Sequence, residues 1–78
     1  MTLFNYINEN LDKVKVDVKN GLMPCSIISH FTIYSRFDYY RKLGNPCCDA
    51  TIYVCNDFQV SESTVFRIIK KMESEWLQ

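Results

Sequence analysis

Glycine and proline occupy only four positions in the chain, and these positions divide it into segments of helical length. Gly21 and Pro24 lie in one short stretch, and Gly44 and Pro46 lie in another. Glycine favours the left-handed conformation that ends a helix, and proline fits the first turn of the next one. The 78 residues are therefore expected to form one small all-α domain, residues 1–78, that needs every apolar face for its core.

The first segment, residues 1–20, has the apolar period of an amphipathic helix. Its apolar side chains fall within an arc of about 100° on a helical wheel, and they are Leu3, Phe4, Ile7, Leu11, Val14 and Val18. Thr2 is a suitable N-cap, and Asn20-Gly21 supplies a left-handed stop. A helix is favoured, although beyond Leu11 the alternation of valines with charged residues also fits the two-residue period of a strand.

Three further helices are predicted in residues 24–78. The second runs from Pro24 to Leu43 and is apolar around much of its girth, as is typical of a central helix. The third runs from Cys47 to about Phe58, after Asn45 as N-cap and Pro46 as first helical residue. The fourth, residues 61–76, opens with Ser61 as N-cap. Because only two residues separate the third helix from that cap, the last two helices are expected to cross steeply.

Residues 51–70 resemble the helix-turn-helix motif of small bacterial DNA-binding proteins, whether stand-alone regulators or the DNA-binding parts of transposases and sigma factors. The positions that are apolar in that family hold Val54, Phe58, Val60, Val65 and Ile68, and the position that must be small holds Cys55. The stretch Val60-Ser-Glu-Ser-Thr-Val65 matches the pattern V-S-x-x-T-V found where the turn meets the recognition helix. The chain departs from the family at Gln59, where glycine is preferred.

The resemblance implies that helices two to four form a trihelical helix-turn-helix core and that the fourth, residues 61–76, enters the major groove of DNA. The predicted DNA-binding residues are Ser61, Glu62, Ser63, Thr64, Phe66, Arg67, Lys70 and Lys71. Independently, helical spacing places Arg67, Lys70 and Lys71 on one face that carries no carboxylate, and such a face suits base edges and phosphates. Phe66 is expected either to press a thymine methyl group or to pack on the second helix or a dimer mate.

The sequence predicts no catalytic residue, metal, cofactor or small-molecule ligand. The four cysteines, Cys25, Cys47, Cys48 and Cys55, lack the paired spacing of a zinc site and are expected to be reduced packing residues, buried or half-buried. His30 is expected on a helix surface without a role. The two glycines are explained as helix stops, so no phosphate loop is present, and no nucleophile–base pair has local support.

The predicted function is that of a sequence-reading DNA-binding protein, a small transcriptional regulator or an accessory protein of a mobile element. The formal net charge is zero, so useful affinity for double-stranded DNA would require a homodimer. The surplus apolar face of residues 1–20 is a possible pairing element, formed mainly by Leu3, Phe4, Ile7 and Leu11. No apolar run approaches the length of a membrane span, so a cytoplasmic protein is expected.

One alternative belongs to a different class of function. The helix-turn-helix would then serve only as a scaffold, and the aromatic second helix would bind a partner protein without any contact to DNA. The balanced charge and the many Tyr and Phe residues are compatible with such an interface.

Overall fold

Five helices make up most of the chain in the computed structural model, which describes residues 1–76. They are α1 (Leu3–Glu9), α2 (Leu11–Lys19), α3 (Ser26–Lys42), α4 (Cys47–Phe58) and α5 (Glu62–Met72). No strand occurs within these 76 residues, although Thr2 and Glu75 form an isolated antiparallel bridge. The predicted all-α class is confirmed, whereas the predicted number of four helices is wrong. Residues 77 and 78, the end of the predicted domain, lie outside the described residues.

The additional helix arises because Asn10 divides the first predicted helix into α1 and α2. Asn10 leaves the helical conformation with φ −124° and ψ 33°. Its backbone N–H and its side-chain Nδ2 both donate to the carbonyl oxygen of Tyr6, each at 3.0 Å. A short amide side chain that competes for backbone groups disfavours a helix interior. The strand alternative for the valines is excluded, since α2 is helical through Val18.

The glycines end the helices around α3 and α4 as predicted, but the N-cap of α4 differs from the prediction. Gly21 and Gly44 both have positive φ, at 77° and 99°, and each follows the end of a helix. The N-cap of α4 is Pro46 rather than the predicted Asn45. The Asn45 side chain instead donates to the carbonyl oxygen of Tyr40 at 3.0 Å, so it closes the end of α3. The predicted span of Cys47 to Phe58 for the next helix is confirmed.

The last helix ends at Met72 and does not continue to Trp76 as predicted. The Ser74 hydroxyl donates to the carbonyl oxygen of Lys71 at 2.6 Å, and the chain then turns toward the N-terminus. The Leu3 N–H donates to the Ser74 carbonyl at 2.9 Å, and the Trp76 N–H donates to the Met1 carbonyl at 2.8 Å. The Trp76 ring lies 5.1 Å from that of Tyr6. These long-range bonds replace the final helical turn.

The core lies where α3, α4 and α5 pack on one another and where α1 packs on α3 and α5. Its buried apolar side chains are Leu3, Tyr6, Ile7, Val14, Ile27, Ile33, Tyr34, Phe37, Ala50, Val54, Val65, Ile68 and Met72. Ile7 is 0% exposed and Leu3 is 4% exposed, while Phe4 and Leu11 pack against the same cluster. The predicted pairing surface on the first segment is therefore misplaced, because its residues belong to the core of a single chain.

A short turn joins α4 to α5. Gln59 adopts the left-handed conformation with φ 54° and ψ 48°, and the next N–H, that of Val60, donates to the Cys55 carbonyl at 3.2 Å. Gln59 is the residue that replaces the glycine preferred at this position. Ser61 then caps α5, as predicted, by accepting a hydrogen bond from the Thr64 N–H at 3.3 Å. The turn consequently fixes the point at which α5 begins.

Ile7→Ala should lower the free energy of unfolding by about 2–5 kcal/mol, because it opens a cavity at a fully buried position. Val16→Ala is the matched control, since Val16 is 54% exposed on α2, and its effect should stay within about 0.5 kcal/mol. Urea unfolding followed by circular dichroism measures both. Equal, small losses from the two variants would show that α1 does not contribute to the core.

Gln59→Gly should raise the free energy of unfolding by up to about 1 kcal/mol, since glycine adopts the left-handed conformation without the steric cost that a Cβ imposes. Gln59→Ala is the control, because alanine retains the Cβ and should bring no gain. The same urea measurement distinguishes them. A loss of stability in the glycine variant would indicate that the Gln59 side chain, rather than its backbone, stabilises the turn.

Candidate nucleic-acid interface

The N-terminus of α5 carries a group of linked hydroxyls. The Ser61 Oγ lies 3.0 Å from the Thr64 Oγ1 and 3.2 Å from the Ser63 Oγ. Ser61 and Ser63 are exposed, and Thr64 is half-buried. The first-turn N–H groups and the positive end of the helix dipole lie at the same place, so this end of α5 favours an approaching anion.

Three cations follow on the exposed side of α5. Arg67, Lys70 and Lys71 are all exposed, as their predicted role requires. Within residues 1–76, the ion pairs join Lys42 to Asp38 and the N-terminal ammonium group to Glu75, so none of the three cations has a carboxylate within 4.0 Å. The Arg67 Nη2 donates instead to the Thr64 Oγ1 at 3.5 Å. Their positive charge is therefore not neutralised by a neighbouring side chain.

The nearby carboxylates of α5 and its C-terminal end interact with other parts of the molecule. The Tyr34 hydroxyl of α3 donates to the Glu73 Oε2 at 2.9 Å. Burial and this hydrogen bond raise the pKa of Tyr34 well above its ordinary value. Glu62 is exposed, and its charge acts on Cys55 of α4. Burial raises the pKa of the Cys55 thiol, and the negative charge of Glu62 raises it further. Glu62 is thus the predicted DNA-binding residue whose charge opposes that role.

Phe66 is exposed, with 49% of its surface accessible. It does not belong to the half-buried apolar side chains that pack against the core. The three sequence alternatives for Phe66, namely contact with a thymine methyl group, packing on the second predicted helix (now α3) and contact with a dimer mate, stay predictions. The exposed half of the ring is accessible to a nucleic acid or to a second copy of the chain.

The cysteines differ from their predicted environment. Cys25, Cys47 and Cys48 are exposed, and Cys55 alone is half-buried. The prediction of buried or half-buried packing is therefore wrong for three of the four. Cys55 lies in α4 at the position expected to be small, and it packs against the core. Within residues 1–76, no three His, Cys, Asp or Glu side chains are grouped closely enough to hold a metal ion.

Two features of the surface escaped the sequence analysis. The first is a groove between α3 and α5, lined by His30, Thr64, Arg67, Ile68 and Lys71. His30 is half-buried there rather than fully on the surface. A local apolar period cannot reveal this neighbourhood, because the groove depends on how two distant helices cross.

The second feature is a tyrosine cluster formed by Tyr39, Tyr40 and Tyr53 at the other end of α3. The ring of Tyr40 lies 5.6 Å from that of Tyr39 and 5.2 Å from that of Tyr53. The Tyr40 hydroxyl donates to the Asp57 Oδ2 at 2.5 Å, and this hydrogen bond raises the pKa of Tyr40. Tyr39 and Tyr53 remain exposed, so the cluster presents aromatic surface to solvent.

No helix within residues 1–76 combines the length and the apolar character needed to cross a membrane. Comparison of the chain with protein-family models, curated proteins and solved structures gives no match. The candidate interface is therefore defined by the residues of this chain alone: an anchored helix, a capped N-terminus with three hydroxyls, and three exposed cations without acidic partners.

Proposed function

We propose that this chain is a sequence-reading protein that binds double-stranded DNA through α5, acting as a small transcriptional regulator or as an accessory protein of a mobile element. The observation that carries the proposal is the exposed face of α5. Arg67, Lys70 and Lys71 lie there without a carboxylate partner, while the opposite side of the same helix is buried. A helix held in this way presents its charge in a fixed direction.

The dimensions and the anchoring of α5 support entry into the major groove. Its eleven residues correspond to about 16 Å of helix, and the major groove is about 12 Å wide. Val65, Ile68 and Met72 fix α5 against α3 and α4, and the left-handed Gln59 keeps the connection to α4 short. The arrangement of α3, α4 and α5 is compatible with a trihelical helix-turn-helix core, which forms part of the proposal.

The side chains of α5 suggest separate roles. Arg67 has the forked guanidinium that reads guanine, and Lys70 is suited to a phosphate. The hydroxyls of Ser61, Ser63 and Thr64 would contact phosphates or base edges near the start of the helix. Phe66 is assigned to a thymine methyl group, and this assignment is supported by the exposure of about half of its surface on the same helix.

A homodimer is part of the proposal, because one neutral chain gains little affinity from charge alone. Two copies would place two α5 helices on half-sites about 34 Å apart. With the first segment buried in the core, the pairing surface is proposed at the end of α3 instead. Tyr39 and Leu43 are both exposed there, with Leu43 accessible over 62% of its surface.

The tyrosine cluster favours a second candidate function, that of a protein-interaction module. Exposed aromatic side chains are enriched at the centres of protein interfaces. Tyr39 and Tyr53 stay exposed although their neighbour Tyr40 is held by Asp57. In this alternative, the cluster binds a partner protein and α5 has no nucleic-acid ligand.

An electrophoretic mobility shift with random duplex DNA over a salt series tests the proposed function. Binding should weaken steeply as salt rises, since the cations of α5 would release counterions from the DNA. Selection from a random pool then provides the preferred site. Absence of any salt-dependent shift would contradict the DNA-binding proposal and favour the protein-interaction module.

Two variants of α5 sharpen this test. On the selected site, Arg67→Ala should cost about 1–3 kcal/mol and relax the preference at one base position. Lys70→Ala should weaken binding to all sequences alike and reduce the salt slope by about one. Lys15→Ala, at an exposed position of α2, is the control and should change neither property. Equal, sequence-independent losses from the two α5 variants would refute the reading role of Arg67.

Light scattering over a concentration series measures the proposed dimer, and the selected DNA site should be palindromic. Leu43→Glu should shift the equilibrium to monomer, because it places a charge in the proposed pairing surface. Leu22→Glu is the matched control, since Leu22 is also exposed but lies in the loop before α3. A protein that remains monomeric at tens of micromolar, with a site lacking symmetry, would rule out the dimer.

A further inference from the structure

The groove between α3 and α5 is lined by four polar side chains and one apolar side chain. It has a volume of about 240 Å³, is open to solvent, and is lined by His30 on one side and by Thr64, Arg67, Ile68 and Lys71 on the other. Ile68 is buried and forms the apolar part of the lining. With 100° between successive helical residues, Thr64, Ile68 and Lys71 form one row along α5. Arg67 lies one row nearer to the exposed face.

The groove carries uncompensated positive charge. Neither Arg67 nor Lys71 has a carboxylate within 4.0 Å among residues 1–76. The Arg67 Nη2 donates to the Thr64 Oγ1 at 3.5 Å, and both residues line the groove. The residues of the lining are otherwise neutral, so the groove presents hydrogen-bond donors from α5 without an acidic acceptor.

His30 is the polar side chain that α3 contributes to the lining of the groove. Its Nδ1 is buried and has no hydrogen-bond partner among the described residues. Burial lowers the pKa of His30, and the charges of Lys71 and Arg67 lower it further, so the ring is neutral near pH 7. Because an imidazolium would place an unpaired N–H at the buried Nδ1, the neutral ring with its proton on Nε2 fits this site better. The Nε2 then carries the proton and is the ring nitrogen that can donate to a ligand.

We propose that this groove is a binding site for a phosphate group, held by His30, Thr64 and Lys71 with Arg67 at its outer rim. Phosphate oxygens accept hydrogen bonds from ammonium, hydroxyl and imidazole donors, and these are the groups that line the groove. A bound phosphate supplies the negative charge that the groove lacks. Its negative charge would raise the pKa of His30, while the Nε2–H of the ring donates to the phosphate.

The phosphate is assigned to the backbone of DNA, and in this respect the site rests on the proposed function. The groove opens beside Arg67, so a helix lying in the major groove would bring a flanking phosphate to α3. A free phosphorylated small molecule offers the same chemistry, and the experiment separates the two sources.

The chain contains a single histidine, which provides one unambiguous NMR signal for the site. Inorganic phosphate should shift the imidazole resonances of His30 saturably and raise its pKa, whereas sodium chloride at equal ionic strength should not. Lys71→Gln should weaken phosphate binding about tenfold, as expected for the loss of one charge-assisted hydrogen bond. Lys15→Gln is the control and should bind phosphate as the unaltered protein does. Thermal unfolding of each variant checks that the fold is retained.

Duplex DNA is the second ligand to be titrated in this experiment. DNA should shift the same His30 resonances, and both His30→Gln and Lys71→Gln should weaken DNA binding by a similar factor on all sequences. A response to inorganic phosphate without any effect of these variants on DNA binding would overturn the backbone source and leave a free phosphate ester as the ligand.

The experiments distinguish an incorrect phosphate site from an incorrect DNA-binding function. If neither phosphate nor DNA moves the His30 signal while Lys70→Ala still weakens DNA binding, the phosphate site is wrong and the DNA-binding function stands. If the chain binds no DNA, the proposed function is wrong, and the phosphate titration alone supports or overturns the groove as a site.

Discussion

The burial of one side of α5 governs both the packing of the protein and the direction of its exposed charge. Val65, Ile68 and Met72 are almost completely removed from solvent, and α5 packs on α1, α3 and α4 through this side. A small domain has little other apolar area with which to offset chain entropy, so this stripe cannot turn outward. The opposite side of the helix, with Arg67 and Lys70, is consequently held toward solvent. The same hydrophobic contact that stabilises the fold therefore orients the candidate DNA-binding face.

Contacts between the two ends of the chain give α1 its place in the core. The Leu3 N–H bonds to the Ser74 carbonyl, the Trp76 N–H bonds to the Met1 carbonyl, and the rings of Tyr6 and Trp76 lie together. These contacts begin where α5 ends, because the chain must leave the helical conformation after Met72 to reach α1. With the first helix docked in this way, Leu3 and Ile7 are buried, whereas Tyr39 and Leu43 at the far end of α3 stay exposed.

Much of the candidate interface could be predicted from the sequence, because it lies within one helix. Ser61 is recognisable as a cap, and the spacing of Arg67, Lys70 and Lys71 places them on one side of a helix without reference to the rest of the fold. The left-handed conformation of Gln59 could also be predicted, because Gln59 occupies the turn position where glycine is preferred. The break at Asn10 could not be predicted in this way, because the apolar period of the first segment continues across it without interruption. The side-chain hydrogen bond that competes for the backbone at Asn10 does not appear in an apolar period.

The sequence by itself determined the helical class, most helix boundaries and the side chains that share each helix face. These properties depend on interactions between residues that are near in the chain. The tertiary structure decided which faces meet. It placed Leu3 and Ile7 inside the core rather than on a pairing surface, left three cysteines exposed, and brought His30 beside Lys71 across the groove between α3 and α5. The physical reason is that helical periodicity defines apolar stripes but not their partners, and the crossing of distant helices selects among several ways of burying the same area.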